Sequence, residues 1–235
     1  MSSMNPLNLT TSASSSPTVV TMPSVAVPAD TTRVLRNTYA LLSLTLLFSA
    51  VVASASVAMR LPAPGLLITM GVYFGLLFAI HRLQNSGWAL PAVFSLTGFM
   101  GYSLGPVLSH TLSLPGGGQT IALALAATGA TFLGLSAWVL TTRKDFSFMG
   151  GFLFAGMIIA LVAGLAAMFF EIPALSLAVS GMVALLSAGL ILFETSNIVN
   201  GGERNYVLAT VSLYVSVYNL FTSLLALFGF GSSDE

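Results

Sequence analysis

The sequence predicts an all-α integral membrane protein of seven transmembrane helices, and three observations predict it. Of 235 residues, 56% are hydrophobic and only 6% charged, with a mean hydropathy of +0.94. Soluble domains carry about 25% charged residues, so this chain cannot cover itself with a water-compatible surface. From residue 33 onward the apolar residues fall into runs of about 20, the length that crosses a bilayer core roughly 30 Å thick. The runs are separated by turn-forming residues: Leu61-Pro62-Ala63-Pro64, Asn85-Ser86-Gly87, Pro115-Gly116-Gly117-Gly118, Arg143-Lys144-Asp145, Glu171-Ile172-Pro173 and Asn200-Gly201-Gly202-Glu203. Gly and Pro are the strongest local punctuators, and six such breaks divide the chain into seven spans.

Residues 1–32 are rich in Ser, Thr and Pro, and Pro17, Pro23 and Pro28 interrupt every short apolar run. This composition predicts a disordered tail. It is not a secretory signal, because Arg33 and Arg36 follow it and the first long apolar run begins only after them. The transmembrane domain is expected over residues 33–231, with a short tail at 232–235. Its helices are placed at Val34 to Met59, Pro64 to Ile80, Trp88 to Ser109, Gln119 to Leu140, Phe148 to Phe170, Ala174 to Val199 and Tyr206 to Phe230.

Charge sets the orientation and excludes several function classes. Short cytoplasmic loops hold the Lys/Arg excess of a membrane protein. Arg33, Arg36, Arg82, Arg143, Lys144 and Arg204 fall on one side of the alternating spans and Arg60 on the other, six against one. The amino terminus is therefore expected in the cytoplasm and the carboxyl terminus outside. Seven basic and seven acidic residues cancel, so the basic excess that nucleic acid demands is missing. With no Cys and two His, neither a thiolate site nor a zinc site can be assembled, and no cofactor or metal is expected. No internal repeat is visible, which argues against an inverted-repeat transporter.

Glu194 is the leading candidate functional residue. It sits in an apolar segment after Ile191, Leu192 and Phe193, and a carboxylate at a helix centre costs roughly 2.5–3.5 kcal/mol on insertion scales. Burial disfavours its charged form, so it is a candidate proton-linked switch. The alternative is a hydrated helix end, with Asn197 and Asn200 close by. In the last span Ser212, Ser216, Asn219 and Ser223 recur at steps of four, three and four, forming one polar face that can meet Glu194. Arg36, expected at the same membrane face, is a possible charge partner. Arg60 and Glu171 are expected to reach the opposite headgroups.

Two motifs invite other readings. Gly101-Tyr102-Ser103-Leu104-Gly105 fits the G-x-S-x-G pattern of serine hydrolases. A nucleophile needs a base within hydrogen-bond reach, and His110 lies seven residues on, roughly 10 Å along a helix. The chain is thus read as non-enzymatic. Gly71 with Gly75 and Gly101 with Gly105 have the spacing that lets membrane helices approach closely, and tight packing within the molecule is expected of both pairs.

Five stretches carry a family resemblance: Arg33-Val-Leu-Arg-Asn-Thr-Tyr39, Thr97-Gly-Phe-Met-Gly-Tyr-Ser-Leu-Gly-Pro106, Leu140-Thr-Thr-Arg-Lys-Asp-Phe-Ser-Phe148, Ile191-Leu-Phe-Glu-Thr-Ser-Asn-Ile198 and Ser212-Leu-Tyr-Val-Ser-Val-Tyr-Asn-Leu-Phe221. Together they resemble the Bax inhibitor-1 family over about residues 33–230. The resemblance implies a seven-helix bundle whose last helix is central, with the other six around it. It also implies an inner-membrane protein that binds the membrane-anchored AAA+ protease FtsH, is a slow substrate of it and restrains it. The tail carrying Met1, Pro17 and Pro28 would then be where the protease engages.

Other members of the family behave as pH-sensitive calcium leaks through an acidic pair on the last two helices, which implies the alternative function, a proton-linked cation leak gated by Glu194. Here Ser216 stands where the second acid would be. One carboxylate with Asn197, Ser216 and Asn219 is a poor calcium site, since calcium takes six to eight oxygens, several of them anionic.

Overall fold

A computed structural model describes residues 29–231. The seven helices are α1 (Ala29–Ala58), α2 (Leu66–Leu83), α3 (Ala89–Ser113), α4 (Gly117–Thr142), α5 (Gly150–Phe169), α6 (Pro173–Val199) and α7 (Tyr206–Gly231). One turn of 3₁₀-helix, Ser147–Met149, leads into α5. There is no strand among the described residues. Each helix is long and apolar enough to cross a membrane. Most of the expected tail, including Met1, Pro17 and Pro28, lies outside the described residues, as do 232–235. Pro28 is the last of the helix-breaking prolines, and the chain is helical from Ala29, four residues before Arg33.

Helix ends account for several residues that the sequence left as bland surface charges. Leu61 donates its N–H to the Ser56 carbonyl at 3.1 Å, and Ile172 donates to Ala167 at 3.1 Å. These six-to-one bonds close the helices in Schellman fashion and put the preceding residue in the left-handed region. That residue is Arg60 (φ 50°) in one case and Glu171 (φ 51°) in the other, positions where glycine would be unstrained. Gly201 (φ 76°) ends α6 the same way, with the Gly202 N–H on the Asn197 carbonyl at 2.8 Å.

The last helix is central, with a narrower shell than six. It packs against α1, α3, α4 and α6, while α2 rests on α3 and α5 on α6. Half of the α7 span is buried, against 6% for α2. Hydroxyls lock α7 to its neighbours. Tyr214 donates to the Thr97 carbonyl at 3.3 Å and is 2.7 Å from the Ser49 hydroxyl; a phenol has one proton, so Ser49 is the donor of that second bond. Tyr218 donates to the Met100 carbonyl at 3.4 Å.

The two G-x-x-x-G pairs part company. Gly101 is pressed against Ser49, and Gly105 against Ser56, whose hydroxyl donates to the Tyr102 carbonyl at 3.1 Å. This pair is the seam along which α3 meets α1, as expected. Gly71 and Gly75 have nothing within 4 Å of where a side chain would begin, and both are exposed. The expectation of internal packing is corrected there: α2 turns Tyr73, Leu76, Leu77 and Ile80 inward, and the glycines fall on the opposite side.

Two sets of hydrogen bonds fasten the loops at one end of the bundle. Asn205, in the α6–α7 loop, donates to the Gln84 carbonyl and the Asn85 side chain of the α2–α3 loop at 3.3 and 3.2 Å. Ser196 accepts from the Phe146 N–H at 2.9 Å and donates to the Lys144 carbonyl at 3.0 Å, fastening the α4–α5 loop to α6. In that loop the Ser147 N–H bonds the Asp145 carboxylate at 2.8 Å and holds its pKa below the usual carboxylate range.

Candidate functional site

Glu194 lies five residues before the end of α6, part-buried, facing α7. The buried Ser216 donates its hydroxyl to the Glu194 carboxylate at 3.2 Å. The polar stripe of the last helix therefore does meet the intramembrane acid, through the residue that stands where the second acid would be. Beside this bond is a cavity of about 90 Å³, lined by Glu194, Asn197, Glu203 and Ser212 together with Phe193 and Ala209. Its volume is comparable to about three water molecules.

Glu203 carries no site signal in the sequence, where a loop acid after Gly201-Gly202 reads as solvated. The turn brings it back: the Asn197 carbonyl accepts both the Gly202 and Glu203 N–H groups, at 2.8 and 3.2 Å. Glu203 also accepts from the Asn205 N–H at 2.7 Å. Two acids thus face one small cavity, one on α6 and one on the loop that follows. Asn197 contributes to ending α6, as the blander reading had it, and also lines the cavity.

Two sequence candidates do not join the group. Arg36 is exposed and forms no ion pair with Glu194. It lies about 200° around α1 from the fully buried Thr38, at about 100° per residue, so it points away from the bundle. Asn219 shares the stripe with Ser216 yet lies deeper along α7, and it lines a cleft between α2 and α5 with Val183 of α6 beside it. Ser103 donates its hydroxyl to the Phe99 carbonyl at 3.0 Å, and His110 is exposed near the end of α3. The hydrolase-like motif is a packed helix seam with no base beside its serine.

A family described as Inhibitor of apoptosis-promoting Bax1 matches residues 31–233. The chain belongs to this Bax inhibitor-1 family. Within the family it is 53% identical over 205 residues to the Modulator of FtsH protease YccA of Escherichia coli, covering 87% of this chain and 93% of that protein. An uncharacterised protein of Pseudomonas aeruginosa is 52% identical over 212 residues, covering 90% of this chain and 96% of its own length. An uncharacterised membrane protein of Vibrio cholerae is 45% identical over 207 residues, covering 88% and 93%.

The Glu194–Ser216 bond makes a direct stability prediction for this family member. Ser216→Ala removes the hydroxyl donor and leaves the carboxylate short of a partner, at a cost of roughly 1–3 kcal/mol. A lowered thermal midpoint in detergent is expected. Glu194→Gln keeps an acceptor oxygen and is expected to lower it less. An unchanged midpoint for Ser216→Ala would show that the bond holds nothing in place.

Proposed function

We propose that this protein is a non-enzymatic modulator of FtsH, bound in the bacterial inner membrane with its amino terminus in the cytoplasm and its carboxyl terminus in the periplasm. The observation that carries this is the 53% identity to the Modulator of FtsH protease YccA, spread over nearly the whole of both chains. The positive excess at one end of the bundle supports the orientation, because Arg33, Arg36, Arg82, Arg143, Lys144 and Arg204 all belong to that end.

The fold supports a physical account of restraint. A processive protease needs an unstructured segment to grip, and the Ser-, Thr- and Pro-rich composition of residues 1–28 suits that use. A body whose central helix is held on four sides then resists extraction and keeps the protease occupied. The cation-leak reading is weaker. Glu194 is bonded to the Ser216 hydroxyl and not to a second carboxylate on α7, and Glu203, the other acid on the cavity, is held by the Asn205 N–H of its own loop; two acids fall short of the several anionic oxygens that calcium takes.

The deciding experiment is purification of the tagged full-length protein from native membranes. FtsH is expected in the eluate, and raised levels of this protein are expected to lengthen the lifetime of a membrane substrate of FtsH. Absence of FtsH, with substrate turnover unaltered, would overturn the reading.

A further inference from the structure

At mid-membrane a cleft of about 640 Å³ opens between α2 and α5, with Val183 of α6 and Asn219 of α7 on its lining. Asn219 is the fourteenth of the 26 residues of α7, about 20 Å from either end at 1.5 Å per residue. Its side-chain amide makes no hydrogen bond among the described residues, and neither does the hydroxyl of Tyr73, which lines the same cleft from α2. Unmet hydrogen-bonding groups in a bilayer core cost several kcal/mol each, because no water is there to satisfy them.

That chemistry selects the occupant. An acyl chain fills apolar space but has neither donor nor acceptor at this depth, so it leaves both groups unmet. A transmembrane helix satisfies its own backbone and can present a Ser, Thr, Asn or Gln side chain to them. The wall offered by α5 suits a helix as well. Phe154, Ile158 and Leu161 follow one another at steps of four and three along its cleft side, a ridge that a second helix can straddle.

We propose that the α2–α5 cleft receives a transmembrane helix of FtsH carrying a hydrogen-bonding side chain near the middle of its span. Naming that partner rests on the modulator reading above. The proposal adds the docking surface and the contact that makes it selective, Asn219 with Tyr73.

The test places the photocrosslinker p-benzoylphenylalanine at position 158, in the cleft, and at position 133 as a control, since Leu133 is exposed on α4. Both full-length proteins are irradiated in native membranes. An adduct with FtsH is expected from position 158 and not from 133. Asn219→Leu, which loses the amide and keeps an apolar body, is expected to fold with an undiminished thermal midpoint. It should lower the adduct yield and the co-purified FtsH by about 3- to 18-fold, the span from the mean to the largest measured interhelical hydrogen bond. Equal adducts from both positions, an adduct only with lipid or with a second copy of this chain, or no effect of Asn219→Leu would overturn the cleft as the docking surface. If FtsH still co-purifies in those cases the modulator reading stands; if it never co-purifies, both fall.

Discussion

Gly101→Val is expected to lower the thermal midpoint of the detergent-solubilised protein by about 6–12 °C. A side chain at 101 meets the Ser49 backbone carbonyl first, and a backbone atom cannot rotate out of the way. Relief therefore requires α1 and α3 to separate, which also strains the bond from Ser49 to Tyr214. Overpacking of this kind costs typically 1–3 kcal/mol, and at the upper figure of about 3 kcal/mol a chain of this size loses about 2–4 °C per kcal/mol. Gly71→Val, in the same sequence motif on α2, has open space around it and is expected to move the midpoint little, within about 0.5 kcal/mol. Equal destabilisation by the two substitutions would refute the seam. A thermal shift series on the two single variants and the parent decides it.

Removal of residues 4–27 is expected to lengthen the lifetime of the protein in growing cells several-fold while leaving its thermal midpoint unchanged. The deletion stops short of Ala29, so α1 keeps every residue of its helix. Under the modulator reading the protease then has no free end to grip on the cytoplasmic side, although it still binds. A chase after translation is blocked, followed by immunoblot, measures the lifetime. Unchanged turnover would reject the tail as the place of engagement, and a lowered midpoint would mean that the tail contributes to the fold.

The spans were legible because five of the six breaks carry Gly or Pro, the sixth is the charged run Arg143-Lys144-Asp145, and each run matches the bilayer in length. Boundaries were less so. The end of α1 at Ala58 depends on Arg60 adopting a left-handed backbone, which nothing in an arginine announces. Identical spacing in Gly71/Gly75 and Gly101/Gly105 led to opposite outcomes, since spacing says that a helix can be approached but not which side its neighbour occupies. At the site, Glu194 and Ser216 could be paired from a periodic stripe and an isolated acid. Asn219 could not be separated from them, because it lies on the same face and only the packing of α2 and α5 around it places it in a different cleft. Glu203 needed the folded Gly-Gly turn.

The seam between α1 and α3 also has a mechanical meaning. Force applied at Ala29 along the axis of α1 pulls the helix lengthwise past α3 and α7. The Gly101–Ser49 and Gly105–Ser56 contacts, and the Ser49–Tyr214 bond, then bear the load in shear. Contacts sheared together must fail together, whereas contacts peeled apart fail one after another. A motor drawing on the amino terminus meets a helix whose anchorage is not dismantled in steps, and under steady load the rate of that collective failure, more than the equilibrium stability of the bundle, sets how long the chain holds.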